Sequence, residues 1–404
     1  MDKKPSTRVV YVDWLRVLGV LAVLVYHSSR FFNPEDWHVK NPITYEWLNI
    51  WNEFALLWLM PLLFAISGLS LFFAVGKSGP AKFVKDKVLR LLVPLLVGMF
   101  THCALQVYLE RLTHGQFSGT FFQFLPYYFQ GYYNGSDPAT GNFARTGMHL
   151  WYLAWLFVFT LVLYPLMLWL QRGGKRVLAW LGTSLSLPGA VYLLALPVIA
   201  GMMDNEDNPF LLWWEAGWPL LVYLWLIFCG FLVGSSTRLQ ERVQRLRWLS
   251  LALALVTMVG AAGIALSGES LAYGTVSRMI VVGLRALSAW CWVLAFLGLG
   301  RAYLTRSTPF LSYANEAVLP FYILHQTVLL CVGYFVVQWA IPGLLKWVLI
   351  LILSFSIIMV LYEFLVRRYD VMRFLFGMKP LPRAPVIQAQ DTATAGPLDS
   401  LPSA

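Results

Sequence analysis

Apolar runs of membrane-spanning length recur along almost the whole chain, and no other feature restricts its fold so strongly. Ten can be marked, centred near residues 20, 63, 98, 160, 190, 222, 257, 290, 329 and 355. A helix needs roughly 17–25 largely apolar residues to cross a bilayer. Backbone amides and carbonyls find no water there, so a chain of this pattern must satisfy them within helices. The pattern predicts an all-α, polytopic integral membrane protein of about ten transmembrane helices. Composition agrees: of 404 residues, 59% are hydrophobic and 12% charged, whereas a soluble domain carries about 25% charged residues. The fifth run, about residues 177–201, is the weakest, because Pro188, Gly189 and Pro197 interrupt it.

A formal net charge of +10 raises the question of nucleic acid, and the placement of the charges answers it. Lys3, Lys4 and Arg8 precede the first run; Lys77, Lys82, Lys85, Lys87 and Arg90 lie between the second and third; Arg172, Lys175 and Arg176 follow the fourth. Arg238, Arg242, Arg245 and Arg247, then Arg301 and Arg306, then Arg367, Arg368, Arg373, Lys379 and Arg383 continue the alternation. The opposite loops, FFNPEDWHVKNP, MMDNEDNPF and SGESLAYGTVS, hold few basic residues. By the positive-inside rule both termini are cytoplasmic and the charge is topological, so no nucleic-acid partner is expected; the lipid bilayer is. The first apolar run has no small-residue cleavage site and is expected to be a span rather than a secretory signal. Cys103, Cys229, Cys291 and Cys331 fall inside apolar runs without CxxC spacing, which suits buried small side chains rather than disulfides or metal ligands.

Residues 1–8 are expected to be a cytoplasmic N-terminus, 9–378 the membrane domain, and the Pro/Ala/Ser-rich stretch 379–404 a disordered cytoplasmic tail. Residues 110–148 make the longest connection and are rich in Tyr, Phe, Gly and Asn. This external segment is either an interfacial aromatic belt or a surface that receives a sugar or lipid acceptor.

The first run, YVDWLRVLGVLAVLVYHSS, carries three ionisable groups, Asp13, Arg16 and His27. At about 100° per residue, Arg16 and His27 are roughly 20° apart around the helix, and Asp13 falls about 40° to the other side of His27. The three share one stripe, with Arg16 and His27 about 16–17 Å apart along the axis. Ionisable groups at membrane depth face protein or water and by default mark function. Two structural alternatives stand beside that: an Asp13–Arg16 pair at i,i+3 near the headgroups, and a His27 hydrogen-bonded to a neighbouring helix.

Other polar intrusions are fewer. Ser67 and Gly68 in FAISGLSL allow close helix approach. Lys87 and Arg90 stand one turn apart at the cytoplasmic edge, as topological charges or as a clamp for a phosphate-bearing donor. His149 and Trp151 open the fourth run as belt or cavity-lining residues. Arg285, inside the eighth run, needs an internal partner. Tyr322 and His325 lie on adjoining turns of the ninth, so a second embedded histidine points to an internal cavity.

No HExxH, clustered Cys/His, paired acidic motif, GxSxG elbow or phosphate-binding glycine loop is present, and no metal site is expected. What remains is a histidine reached from outside above basic residues at the cytoplasmic rim. That layout suits moving an acyl group from a phosphorylated cytoplasmic donor to an external hydroxyl, with histidine as general base.

The ordered segments DWLRVLGVLAVLVYH, FAISGLSL, KDKVLRLLVP, HLWYL and LSYANEAVLPFYILHQTVLL resemble the acyltransferase 3 family of integral membrane O-acyltransferases over nearly all of residues 8–378. The last of these, with RRYDVMRFLFGMK, is similar to the branch that includes bacterial glucan-modifying succinyltransferases. Arg16 and His27 match the family's Arg-x10-His, and KVLR its Arg-x-x-Arg, although Lys87 keeps the charge and loses the bidentate geometry. The resemblance implies transfer of an acetyl, succinyl or similar short group from acyl-CoA, a co-substrate rather than a bound cofactor, to an extracytoplasmic carbohydrate or glycan, at the inner membrane. It implies that His27 is catalytic, with Asp13 beside it as a further candidate, and that Arg16, Lys87 and Arg90 serve the donor. His149, Trp151, Arg285, Tyr322 and His325 are candidates for acceptor binding or cavity lining. A polytopic transporter of a small polar or anionic solute, with Asp13, Arg16, His27 and Arg285 along its path, is the competing expectation. No inverted repeat is visible.

Overall fold

The computed structural model describes residues 9–135, 137–203 and 214–381. The chain runs through α1 (Val10–Ser29), α2 (Trp47–Ala74), α3 (Pro80–Lys87), a π turn (Val88–Leu92), α4 (Val93–Phe100), α5 (His102–Thr113) and the short α6 (Phe121–Tyr128). There follow α7 (Trp151–Arg172), α8 (Lys175–Ser184), α9 (Leu196–Met203), α10 (Leu220–Ser235), α11 (Thr237–Arg245) and α12 (Arg247–Leu266). The last are α13 (Val276–Tyr303), α14 (Pro309–Val336), α15 (Gly343–Leu361), a second π turn (Tyr362–Val366) and α16 (Asp370–Leu375). A two-residue hairpin joins Trp214–Glu215 to Trp218–Pro219.

Among the described residues seven helices are long and apolar enough to cross a membrane, or nine if each of two bent pairs is one span. One pair bends by 41° at Thr101, between α4 and α5, and the other by 105° at Ser236, between α10 and α11. Every apolar run marked in the sequence falls in helical structure. The fifth is the broken one: α8 ends, Gly189 turns at a φ of +76, a 3-10 stretch covers Ala190–Ala195, and α9 follows. The predicted tail lies almost wholly outside the described residues.

Side chains toward lipid are apolar, as a bilayer demands: on α12 and α15, Val256, Val259, Leu344, Val348 and Ile352 are exposed. Inside, Gly68 and Gly230 bring α2 and α10 into backbone contact; a Cβ on either would stand 1.9 Å from a carbonyl oxygen, of Ile227 or of Ala65. The two helices run parallel, since Trp218 Nε1 donates to Leu56 O at one end (3.0 Å) and Gly234 meets Leu69 near the other. α7 runs the same way, with Trp151 against Phe64 and Gln171 bonded to Phe72 O (2.7 Å). Two apolar clusters result, one around α2, α7, α10 and α13, the other around α5, α14 and α15. α1 contributes Leu15 and Val23 to the first and Val20 and Leu24 to the second, so its polar stripe runs between them. The cysteines are unpaired, three buried and Cys331 partly so.

Candidate active site

At the C-terminal end of α1 the chain leaves the helix and folds back over it. Asn41 N–H donates to Phe31 O (2.8 Å) and Tyr45 N–H to Phe32 O (2.7 Å). Lys40 Nζ donates to Arg30 O (2.6 Å) and to both oxygens of Asn33, closing the loop from inside. Burial, with Arg30 beside it, lowers the Lys40 ammonium to about 8. This loop sets Trp37 nearly parallel to the His27 ring, 6.0 Å away, and turns His38 toward α5. His27 itself lines a cavity of about 600 Å³ together with Trp37, His38, Glu110, Tyr133, His149 and Trp151.

The far wall is a network that sequence reading missed. His38 Nδ1 hydrogen-bonds the buried carboxylate of Glu110, which also accepts from Tyr133 Oη (2.9 Å) and lies 3.6 Å from Arg111. Arg111 donates to Asn142 Oδ1 (2.8 Å), Gln116 Oε1 (2.8 Å) and Gly141 O (3.2 Å). Gly131 pairs with Gly141, and Tyr132 with Phe143. The aromatic segment 110–148 is thereby folded over the cavity. Tyr133 and Arg145 line it, while Phe122, Tyr127 and Phe129 are exposed on or beside α6. Both expectations for this segment find residues to fit them. The available signal for Glu110 was a lone carboxylate after the apolar turns of α5; its partner, 72 positions away, gave none.

Behind His27 the histidines stand in a row. Ring centres are 5.3 Å apart for His27 and His325, 4.9 Å for His325 and His149, and 6.3 Å for His149 and His102. His102 was likewise unmarked by the sequence. Among the described residues no three metal-binding side chains converge. His149 Nε2 donates to Ile323 O (3.1 Å) and its Nδ1 faces Gln106 Nε2 (3.3 Å). Tyr322 Oη donates to His149 O, and His325 Nδ1 to Tyr322 O (2.6 Å).

Of the expected cavity residues, His149 and Trp151 line this space, whereas Tyr322 and His325 lie just behind its wall. Arg285 finds the partner it was expected to need, away from this cavity. That partner is Glu53 on α2 (3.2 Å), and both side chains are half-exposed.

The N-terminal end of the stripe holds Arg16. It donates to Asp13 Oδ1 (2.9 Å), Asn315 Oδ1 (3.0 Å) and Ser70 Oγ (2.8 Å). Asp13 is thus Arg16's partner, the i,i+3 pair expected as the structural alternative, and about 21 Å of helix axis separates it from His27, so it does not touch the histidine. Lys87 stacks its ammonium over Phe83 (5.1 Å), whose ring lies on Tyr164. Arg90 sits in the π turn, and both cations feel the charge of Arg16. Ser70, then Ser67 bonded to Tyr152 Oη (2.7 Å), then Tyr152 against Tyr322 (5.7 Å), carry polar groups from Arg16 to the histidine row.

A bundle of apolar helices enclosing a polar seam, with cations at one end and a histidine-lined cavity at the other, defines a multi-pass membrane protein built for chemistry or passage across a bilayer. The match to the acyltransferase domain family covers residues 9–363, and the chain belongs to this family of membrane acyltransferases, acyltransferase 3. It is similar to glucans biosynthesis protein C of Salmonella paratyphi B, 22% identical over 399 residues, covering 94% of this chain and 97% of the relative. The protein of the same name from Salmonella heidelberg is 23% identical over 398 residues with the same coverage. No solved structure gives a significant match.

Proposed function

We propose that this acyltransferase moves a short acyl group, acetyl or succinyl, from acyl-CoA on the cytoplasmic side to a hydroxyl of an extracytoplasmic glucan or related carbohydrate. The observation that carries this reading is the line of polar groups running from Arg16 through Ser70, Ser67 and Tyr152 toward the histidine row behind the cavity at His27. Arg16, Lys87 and Arg90 hold the donor's phosphates, with Asp13 and Asn315 fixing the Arg16 fork. The thiol-bearing arm of the donor follows the seam outward, bringing the thioester to His27. There the acceptor hydroxyl, seated in the cavity, gives its proton to His27 as its oxygen attacks the carbonyl carbon. The new ester C–O bond forms, the C–S bond breaks, and the leaving thiolate takes the proton back from the imidazolium. Trp151, with Tyr133 on the folded external segment, offers an aromatic face to a sugar ring.

The glucan is favoured by the name of the relatives, glucans biosynthesis protein C. Ten crossings with both termini cytoplasmic are favoured by the alternation of Lys and Arg along the sequence, and a bacterial inner membrane by the source of the relatives. The test is incubation of purified protein with labelled acetyl-CoA or succinyl-CoA and glucan oligosaccharides. Label should pass to the sugar, and His27→Ala should lower the rate by about 10²–10⁴-fold while the protein stays monodisperse. Wild-type rates in that variant would remove His27 from the mechanism. Label that crosses a liposome membrane unconjugated would make the protein a transporter.

A further inference from the structure

We propose that His325 is the positioning residue of the reaction: its Nε2 accepts the Nδ1–H of His27 and so leaves His27 Nε2 as the free base toward the cavity. This rests on the reading of His27 as the base, and it follows from the hydrogen-bond inventory of the two rings.

His325 is wholly buried on α14. Its Nδ1 stands 2.6 Å from the carbonyl oxygen of Tyr322, one turn back. A carbonyl can only accept, so Nδ1 carries the hydrogen, and in a neutral imidazole Nε2 is then a bare lone pair. That Nε2 is buried and has no partner. So is Nδ1 of His27. Two orphaned nitrogens on adjacent buried rings, one needing a donor and one free to be a donor, complete each other's inventory.

The bond is not made in this structure, where both nitrogens stand without a partner, but the rings are close enough for a small rotation of His27 to close it. Two imidazoles joined by an N–H···N contact of about 3 Å have ring centres about 5 Å apart; the His27 and His325 centres are 5.3 Å apart with 39° between planes. Among the neighbouring rings the others are engaged or wrongly turned, and Gln326 Oε1, also buried and without a partner on the same cavity wall, is the competing acceptor. His149 uses Nε2 on Ile323 O and Nδ1 on Gln106, and it meets His325 edge-on at 89°. Trp37 lies against the face of His27, and Tyr26 meets it at 70°.

The chemical consequence is directional. When His27 takes the acceptor's proton on Nε2, the proton stays on His27 and His325 remains neutral. The Nδ1–H···Nε2 bond becomes charge-assisted at that moment, stronger than in the ground state, which lowers the barrier rather than tightening donor binding. The Tyr322 carbonyl fixes the tautomer of His325, and His325 fixes that of His27.

The experiment measures kcat and KM for whichever of acetyl-CoA and succinyl-CoA the wild type uses, with glucan oligosaccharides as acceptor. His325→Leu should lower kcat by about 10²-fold, the cost of a misaligned catalytic group, with KM for the donor unchanged. His325→Gln, whose side-chain oxygen reaches the place of Nε2, should stay within about tenfold of wild type, while His325→Asn, which ends short, should fall like Leu. If the Leu variant does not fold, the Gln–Asn comparison decides alone. Equal rates for Gln and Asn, an unchanged kcat in a folded Leu variant, or a loss carried by KM would overturn the assignment. His27→Ala is run beside them: a wild-type rate there removes His27 as the base and this inference with it, whereas a His27→Ala lowered as expected with a normal His325→Leu overturns only this inference.

Discussion

A buried carboxylate that accepts from a histidine and a tyrosine, with an arginine beside it, cannot be removed without stranding its donors. Glu110→Ala leaves His38 and Tyr133 without their acceptor and removes the carboxylate beside Arg111. Breaking such a buried set from one side costs about 3–5 kcal/mol, which thermal unfolding in detergent should register as a lower midpoint. At the rim of the same cavity a histidine gives a pH dependence. Burial pulls His114 down, but Asp36, 3.1 Å from Nε2, and the Glu110 carbonyl, 2.8 Å from Nδ1, raise it above its ordinary value. A raised folded-state value means the contact stabilises the rim fully below about pH 6.5 and is lost as pH climbs through the folded value. Protease cleavage within the external segment should therefore quicken from about pH 6 to about pH 8, and the dependence should flatten in Asp36→Asn. These groups also mark where sequence reading stops. Arg16 and His27 were legible because one helix carries both and its period is fixed. His38 and Glu110 meet only through the fold, and no local period links positions 72 residues apart.

Elements were legible where their signals were local. The apolar runs gave the helices, Ser67-Gly68 gave a packing site, and Pro188, Gly189 and Pro197 marked the segment that breaks. The π turn at Val88–Leu92 left no such mark, because widening one turn needs no special residue, and it carries Arg90 out of the register a regular helix would give it. The α2–α10 contact lends itself to a paired test. Gly68→Ala and Gly230→Ala each drive a methyl to 1.9 Å from a backbone carbonyl, which has no rotamer in which to yield. The helices must separate, and overpacking of this kind costs about 1–3 kcal/mol or more. Gly263→Ala on α12 has open space around its new methyl and an unstrained backbone, so it should be neutral or gain up to about 1 kcal/mol in helix propensity. Thermal midpoints in detergent should fall for the first two and hold or rise for the third. Equal effects at all three sites would mean that the glycines of α2 and α10 are not where the bundle closes.

For the whole molecule the question is how many times the chain crosses, and the parallel course of α7 and α10 bears on it. α7 begins at the histidine cavity with Trp151 and ends at Arg172; α10 begins at Leu220, beside the N-terminal half of α2, and ends at Ser235, next to the basic α11. Two neighbouring helices that run the same way need a return between them, and α8, the 3-10 stretch and α9 are the apolar chain available for it. A broken span is tolerable there because its freed backbone groups find partners inside the bundle: Trp225 Nε1 donates to Leu194 O (2.9 Å) and Trp290 Nε1 to Val191 O (3.0 Å). A reporter enzyme fused after Gly135 should accordingly be active outside the membrane, and one fused after Arg242 inside. Were the broken segment to stay on the cytoplasmic side, α10 would enter from that side and Arg242 would emerge outside, beside Arg238, Arg245 and Arg247, against the positive-inside rule. The pair of fusions thus reads the crossing of residues 175–203 directly. An external Arg242 with an external Gly135 would reduce the count and orphan the return, while exchange of both signals would turn the cavity toward the cytoplasm and require the acceptor sugar to be met there.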